Sequence, residues 1–454
     1  MSAHVKGRRG LPYVDPAKQL PHFSWKTSRN SVREVYCERV AFSEIARRFG
    51  TPSYVYSQQA IRDAFREIDG SLAKVPHQVC FAVKANGNLS LLKLLAGMGS
   101  GFDIVSGGEL AHLGHLGIPG RRIVFSGVGK SREDIREALR YRANRRNSQG
   151  ILQFNVESAA ELETLIEEAS RNPRSLTDAP GVSIRVNPDV QAGGHPHIAT
   201  GLEEHKFGIA WPTARKLYLA HRDTKAIRWQ GISAHIGSQI VALEPFRRAL
   251  QRLASYLLDL RKQGIALEYL DVGGGLGVRY TSEHPASRRA YGKMIADIAR
   301  PLGVEVLLEP GRSIVAESCV LLTRVLYTKS SSRKSFVILD AAMNDLMRPV
   351  LYDAPHPITR VVQASRGGTH SSTLADIVGP VCETGDTFLL DWPLGEVLQG
   401  DLVAIWLAGA YGFVQSSNYN ARGRAAEVLV HGKTAKLIRR RETWHDLIRT
   451  DVLG

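Results

Sequence analysis

The stretch Val79-Cys80-Phe81-Ala82-Val83-Lys84-Ala85-Asn86 runs apolar as far as Val83 and then meets a lysine. Its short, uncharged, partly β-branched character fits a strand buried on both faces, as in parallel sheets with helices on either side. Seven comparable runs follow at residues 101–105, 122–126, 152–156, 182–186, 231–236, 268–272 and 304–308. Helical patterns separate them. Ser158 and Glu161 have capping-box spacing ahead of Leu162, Leu165, Ile166 and Ala169. Leu243, Phe246, Leu250, Leu253, Leu257 and Leu260 recur at helical steps, and Gly264 is placed to end that helix. Eight strand–helix units in this length predict a (β/α)8 barrel of the TIM type, with a doubly wound open sheet as the alternative.

The texture changes after about residue 315. Short strands at 336–339, 387–390 and 402–407 are joined by turns rather than helices, which predicts a C-terminal, mostly antiparallel β domain, a barrel or sandwich. The expected division is a flexible extension over residues 1–30, strand material joining the β domain over 31–52, the barrel over 53–315 and the β domain over 316–454.

The chain has 454 residues, 43% of them hydrophobic and 23% charged, a globular balance. Its formal charge is +15. The basic residues are scattered, with clusters only at 132–146 and 439–441 and no nucleic-acid-binding motif beside them, so a solvated basic surface is expected and a nucleic-acid partner is not. Four cysteines, none in a C-x-x-C pair, fit a reducing cytoplasm. Residues 1–30 lack the apolar core of a secretory signal. The longest uncharged apolar run, residues 402–414, is too short for a bilayer, so no membrane association is expected. No metal site is read.

A lysine at the carboxyl end of a buried strand is paired with an anion, neutralised or chemically converted. A partly desolvated lysine is a good amine nucleophile, and its usual carbonyl partner is an aldehyde cofactor, pyridoxal 5′-phosphate (PLP). Reactive groups of such barrels gather at the carboxyl ends of the strands. There lie Asp103 ahead of Ser106-Gly107-Gly108-Glu109, His235-Ile236-Gly237-Ser238, the triplet Gly273-Gly274-Gly275 and Glu309-Pro310-Gly311-Arg312. The glycine turn with Ser238 can cradle a phosphate, Glu309 can hold a proton on a pyridine nitrogen, and His235 can stack on the ring.

Several stretches resemble the barrel-type PLP decarboxylases, which include ornithine, arginine and diaminopimelate enzymes. They are residues 81–86, His235-Ile236-Gly237-Ser238-Gln239, Asp271-Val272-Gly273-Gly274-Gly275-Leu276-Gly277 and Glu309-Pro310-Gly311-Arg312. Others are similar to the diaminopimelate decarboxylases in particular. These are Asn187-Pro188-Asp189, the segment 195–201 with Lys206-Phe207-Gly208, the segment 343–349 with Tyr352 and His356, Gly379-Pro380-Val381-Cys382-Glu383-Thr384-Gly385-Asp386, and Gly409-Ala410-Tyr411-Gly412. The resemblance covers roughly residues 42–430.

It implies a PLP enzyme that decarboxylates meso-2,6-diaminopimelate to L-lysine, working as a homodimer with shared active sites. Lys84 is then the cofactor-linked lysine. Asp103, Glu109, His235, Ser238, Gly274, Gly275, Glu309, Gly311, Arg312 and Tyr411 are cofactor-binding. Cys382 matches the family's acid, and with Glu383 reaches across from the partner subunit. Charge argues for the substrate, because a far carboxylate calls for forked donors: Arg312 and Arg348, with Tyr352 adding a hydroxyl. Glu383 can hold the distal ammonium, and Tyr411 lies near both phosphate and substrate. The alternatives are a decarboxylase of arginine, ornithine, carboxynorspermidine or a carrier-tethered amino acid, a PLP racemase, and a non-catalytic regulator. Residues 1–30 and the Arg-rich segment 140–149 depart from the family pattern and read as mobile surface, the latter on the barrel's amino-terminal side.

Overall fold

A computed structural model of the chain describes residues 15–27, 32–143, 150–171, 179–191, 206–364 and 374–453. The chain divides into two compact units. One comprises Ala64–Gly277 and His284–Ser313, the other Met1–Asp63, Val278–Glu283 and Ile314–Gly454.

The first unit is the expected barrel. Its strands are β1 (His77–Ala82), β2 (Gly101–Ile104), β3 (Ile123–Phe125), β4 (Gln153–Val156), β5 (Gly181–Asn187), β6 (Arg228–Ser233), β7 (Tyr269–Asp271) and β8 (Glu305–Leu308). All neighbours pair in parallel, β8 pairs β1, and β4 pairs β5, so the ring closes. The open-sheet alternative is thereby excluded. Every residue of β5 is buried, as a strand covered on both faces requires. Around the ring, Cys80, Val124 and Leu307 form an apolar core cluster. The helix Glu244–Lys262 buries Phe246, Leu250, Leu253, Leu257 and Leu260 on one face, and Gly264 follows at φ +82°. Ser158 caps the helix Ala159–Ser170 through the Glu161 N–H. The Glu161 carboxylate accepts instead from the Glu157 N–H at 3.1 Å and from the buried Lys130 ammonium at 2.7 Å. A nearby cation and the preceding residue have taken the second half of the capping box.

The second unit is built on a nine-stranded sheet. Cys319–Ser330 pairs antiparallel with Ser335–Leu339, Leu402–Trp406 and Ser53–Ser57. Two pairs in the sheet are parallel, Ser335–Leu339 with Ala375–Val378 and Ala426–His431 with Ser53–Ser57. A four-stranded antiparallel sheet contains Phe23–Thr27 and Val32–Cys37.

Two boundaries differ from expectation. Ser53–Ser57, assigned to the barrel from sequence, is a central strand of the β unit, and the barrel unit begins only at Ala64. The five residues are all buried; Tyr54 donates to the Asp345 carbonyl and Tyr56 to Glu427 Oε1. Aromatic alternation with two paired hydroxyls suits a sheet covered on both sides. Nor is the described part of 1–30 a mobile extension: Phe23 is buried, and its strand pairs with Val32–Cys37. Residues 1–14, 28–30 and 144–149, and the motif at 195–201, lie outside the described residues.

Glu427 is fully buried, with the Tyr56 hydroxyl at 2.8 Å and Arg439 Nε at 2.5 Å. Replacing Tyr56 by Phe removes a hydrogen bond to a buried carboxylate, which is expected to cost roughly 1.5–3 kcal/mol. Urea unfolding should show a lower midpoint for the variant; an unshifted midpoint would refute this account of the sheet.

Candidate active site

Strand β1 ends at Ala82, and the chain makes a 3-10 turn over Val83–Ala85. The turn keeps Val83 and Ala85 buried but leaves the Lys84 side chain 33% exposed. Lys84 Nζ donates to Asp103 Oδ2 at 2.8 Å. Asp103, at the end of β2, is fully buried, and its Oδ1 has no hydrogen-bond partner among the described residues. Of the three fates open to a strand-end lysine, pairing is the one adopted here.

Beside this pair lies a carboxyl cluster from the ends of β7 and β8. Burial raises Asp271 to about 6, and raises Glu309 well above the ordinary carboxyl range, with the Asp103 and Asp271 charges adding to the effect on Glu309. The two are hydrogen-bonded, in the sense that favours the proton on Glu309. Asn155, from β4, donates to Asp271 Oδ2 at 2.8 Å and Glu309 Oε1 at 3.2 Å, and the Ser126 hydroxyl donates to Glu309 Oε1 at 3.1 Å. Sequence reasoning missed Asn155 and assigned no task to Asp271. The signal was present in the alternation of Gln153 and Asn155 along an otherwise apolar strand, which marks inward-facing positions.

His235 follows β6. Its Nδ1 accepts from the Gly274 N–H at 3.0 Å, so the hydrogen of the neutral ring sits on Nε2. Burial first, then the Arg185 and Lys84 charges, lower its pKa well below the usual imidazole value, so the ring is neutral. Arg185, also unnoticed from sequence, donates to the His235 carbonyl at 3.2 Å and is paired with Glu157 at 2.9 Å. Glu109 accepts from the Val105 N–H at 2.7 Å; burial raises it to about 7, the Asp103 charge adding and Val105 and Lys84 opposing.

The glycines have steric reasons. A Cβ at Gly274 would stand 2.1 Å from the Glu309 carbonyl oxygen, and one at Gly275 (φ +111°) 2.4 Å from that of Gly237. Gly311 would meet Ala85 Cβ at 2.8 Å. The turn after β7 thus lies hard against the segments after β6 and β8. Ser238 Oγ accepts from Arg312 Nε at 3.3 Å and Nη2 at 3.1 Å. A hydroxyl, a guanidinium and a glycine turn suit a phosphate; a buried carboxyl cluster suits a protonated ring nitrogen; a half-exposed lysine suits an aldehyde. These residues fit PLP. The orphaned Asp103 Oδ1 in particular can take a further donor.

The remaining predicted residues lie in the other unit and form two groups. Arg348, buried in the helix Arg348–Tyr352, donates to His356 Nε2 at 2.7 Å, and the Tyr352 hydroxyl accepts from Gln415 Nε2 at 3.3 Å. Cys382 is exposed, unlike the other three cysteines, with its N–H on Asn420 Oδ1 at 3.1 Å. Glu383 accepts from the Tyr419 hydroxyl at 3.0 Å. The loop is stapled by Asp386, which accepts from the N–H groups of Met343 at 2.7 Å and Val381 at 2.8 Å. Tyr411 is half-buried at φ +56°, a left-handed conformation uncommon for a bulky residue.

A family model described as the pyridoxal binding domain of pyridoxal-dependent decarboxylases matches residues 58–316. The diaminopimelate decarboxylase of Pseudomonas aeruginosa is 49% identical over 414 residues, 91% of this chain and 96% of that protein. Among solved structures, diaminopimelate decarboxylase from Helicobacter pylori complexed with L-lysine is similar at TM-score 0.82 and 40% identity, covering 90% of this chain and 98% of that one. The enzyme from M. jannaschii in co-complex with L-lysine gives TM-score 0.85 at 33% identity, covering 95% and 98%.

Because burial lifts Asp271 from 3.8 to about 6, the folded state holds this proton more tightly than the unfolded chain. Its contribution to stability is therefore present below pH 4 and is lost as pH rises towards 6 and beyond. Asp271→Asn cannot ionise, so in cofactor-free protein its stability relative to wild type should rise by roughly 1–3 kcal/mol between pH 4 and 7. Denaturant unfolding at both pH values tests this, and a constant difference would refute it.

Proposed function

The chain belongs to the pyridoxal-dependent decarboxylases, among the diaminopimelate decarboxylases, and on that premise we propose how its own residues carry the reaction. The enzyme is a carboxy-lyase that uses PLP to convert meso-2,6-diaminopimelate to L-lysine and CO2 in lysine biosynthesis. The observation that carries the reading is the Lys84–Asp103 pair at 2.8 Å beside the Asp271–Glu309 cluster.

Bound at this mouth, PLP supplies an aldehyde for an amine and a ring that accepts the electron pair as CO2 leaves. Lys84 would hold the cofactor covalently. Asp103 keeps the lysine in place and balances its charge. Glu309 is the group for the ring nitrogen: with a cation there, its proton is no longer needed to keep the buried carboxyls apart in charge. Neutral His235 offers a flat face without adding a competing positive charge. Ser238, Gly274, Gly275, Gly311 and Arg312 hold the phosphate, with Tyr411, and Glu109 supports the Lys84 side of the site.

Arg348 and Tyr352, with Arg312, bind the substrate's far carboxylate, and Glu383 its far ammonium. Cys382 returns a proton to the α-carbon. Its exposure in a loop tied down by Asp386 supports a chemical role, since structural cysteines are buried. Cys382 and Glu383 complete the site of the partner subunit in a homodimer. Arg348 favours diaminopimelate over arginine or ornithine, which have no far carboxylate. Among the described residues no helix is long and apolar enough to cross a membrane. Separately, three buried, unpaired thiols support a cytoplasmic location.

Lys84→Ala is expected to lose the visible absorbance of the cofactor-loaded protein and at least about a thousandfold of its CO2 release. Wild type given meso-diaminopimelate, arginine and ornithine separately should release CO2 from the first. An unchanged spectrum, or preference for arginine or ornithine, would overturn the assignment. Mixing Lys84→Ala with Cys382→Ala protein should restore activity through hybrid dimers. A mixture as inactive as its parents, with subunit exchange verified, would exclude shared sites.

A further inference from the structure

His356 stands in a chain of contacts that the reaction above does not use. Its Nδ1 lies 2.7 Å from the Trp406 carbonyl oxygen, and its Nε2 lies 2.7 Å from Arg348 Nη1. A carbonyl oxygen only accepts and a guanidinium only donates. Nδ1 therefore carries the hydrogen, and Nε2 presents a lone pair to Arg348. The ring can satisfy both neighbours only in this one tautomer and orientation. Both side chains are buried, at 1% exposure for His356 and 5% for Arg348.

The far end of the chain is rigid. Trp406 ends a strand paired with Cys319–Ser330; its N–H donates to the Pro357 carbonyl at 2.9 Å and its indole N–H to Thr359 Oγ1 at 2.9 Å. The Tyr280 ring closes another side. Arg348 Cζ stands 4.7 Å from its centroid, and His356 meets it edge-on at 5.2 Å. A guanidinium held at one nitrogen by a fixed acceptor and on one face by an aromatic ring has lost its rotational freedom before any ligand arrives. Preorganisation of this kind matters most where a planar fork must meet a planar carboxylate.

We propose that His356 is a positioning residue for substrate recognition: as the neutral tautomer set by the Trp406 carbonyl, it orients Arg348 for the far carboxylate of the substrate. The inference rests on the reading of Arg348 as the carboxylate holder and adds what aims it. The contacts of His356 run to Arg348, the Trp406 carbonyl and the Tyr280 ring, so the role proposed for it lies in binding rather than in bond cleavage.

L-Lysine, the product, retains the far carboxylate, whereas cadaverine has the same carbon chain and amines without it. The two are therefore the probes, measured by calorimetry on PLP-loaded wild type, His356→Leu and His356→Gln. Wild type should bind L-lysine more tightly than cadaverine. His356→Leu should weaken L-lysine about tenfold with cadaverine little changed, and raise KM for meso-diaminopimelate similarly with kcat nearly constant. His356→Gln, whose amide oxygen can accept from Arg348, should recover much of the loss. If His356→Leu, with an unchanged Tm, keeps the wild-type ratio of the two probes, His356 does not position Arg348. If both probes weaken equally and Gln rescues neither, the role is packing, and the proposal also falls. A wild type that does not prefer L-lysine would instead bring down the reading of Arg348 beneath it.

Discussion

A lysine amine 2.8 Å from a fully buried aspartate is the interaction on which the rest of the site depends. The pair places a positive charge beside a cluster of buried carboxyls. Asp103, Asp271 and Glu309 come from three strand ends, and the water that would normally stabilise their charges is excluded. The protein answers with Lys84 on Asp103, with Asn155 and Ser126 donating to the other two, and with a proton retained by Glu309. Such a site is costly to leave anionic and receptive to a cationic ring. The electrostatics that burden the cofactor-free fold are thus the ones that select the cofactor.

The barrel makes this arrangement possible because its strands end together. Lys84, Ser126, His235 and Glu309 follow their strands by one or two residues, Asp103, Asn155 and Asp271 lie within theirs, and short connections hold the ends together: Gly273 N–H on Asp271 Oδ1 at 3.0 Å, Gly274 N–H on His235 at 3.0 Å, the Glu309 N–H on the Gly273 carbonyl at 2.8 Å. The Gly273–Gly275 turn is therefore a connector between three strand ends. A side chain at Gly274 would part the turn from Glu309 before it touched any ligand.

The eight strands, the helix ended by Gly264 and the reactive residues at strand ends were legible in the sequence because each depends on local pattern. What escaped was set by partners distant in the chain. Ser53–Ser57 lies just before the barrel in sequence, yet its register is fixed by Cys319–Ser330 and Ala426–His431, far along the chain. The Glu161 carboxylate has cap spacing but finds Lys130, a cation 31 residues away. Asn155 and Arg185 look like ordinary polar interruptions of strands until barrel closure turns them inward. A resemblance located His356 within a motif, but only the Trp406 carbonyl reveals which of its nitrogens faces Arg348.

The β unit shows the same economy on a different scaffold. Two segments carry its candidate chemistry, one around Arg348 and one around Cys382, and Asp386 joins them through the Met343 and Val381 N–H groups. Burial raises the Asp386 pKa while those N–H donors oppose the rise, so its charge is stabilised by the backbone of the loops it joins. Arg348 is held to the sheet by His356, and the cysteine loop to the Arg348 segment by Asp386. The stiffness of the sheet is thereby passed to two residues that lie outside any strand, the exposed Cys382 and the buried Arg348.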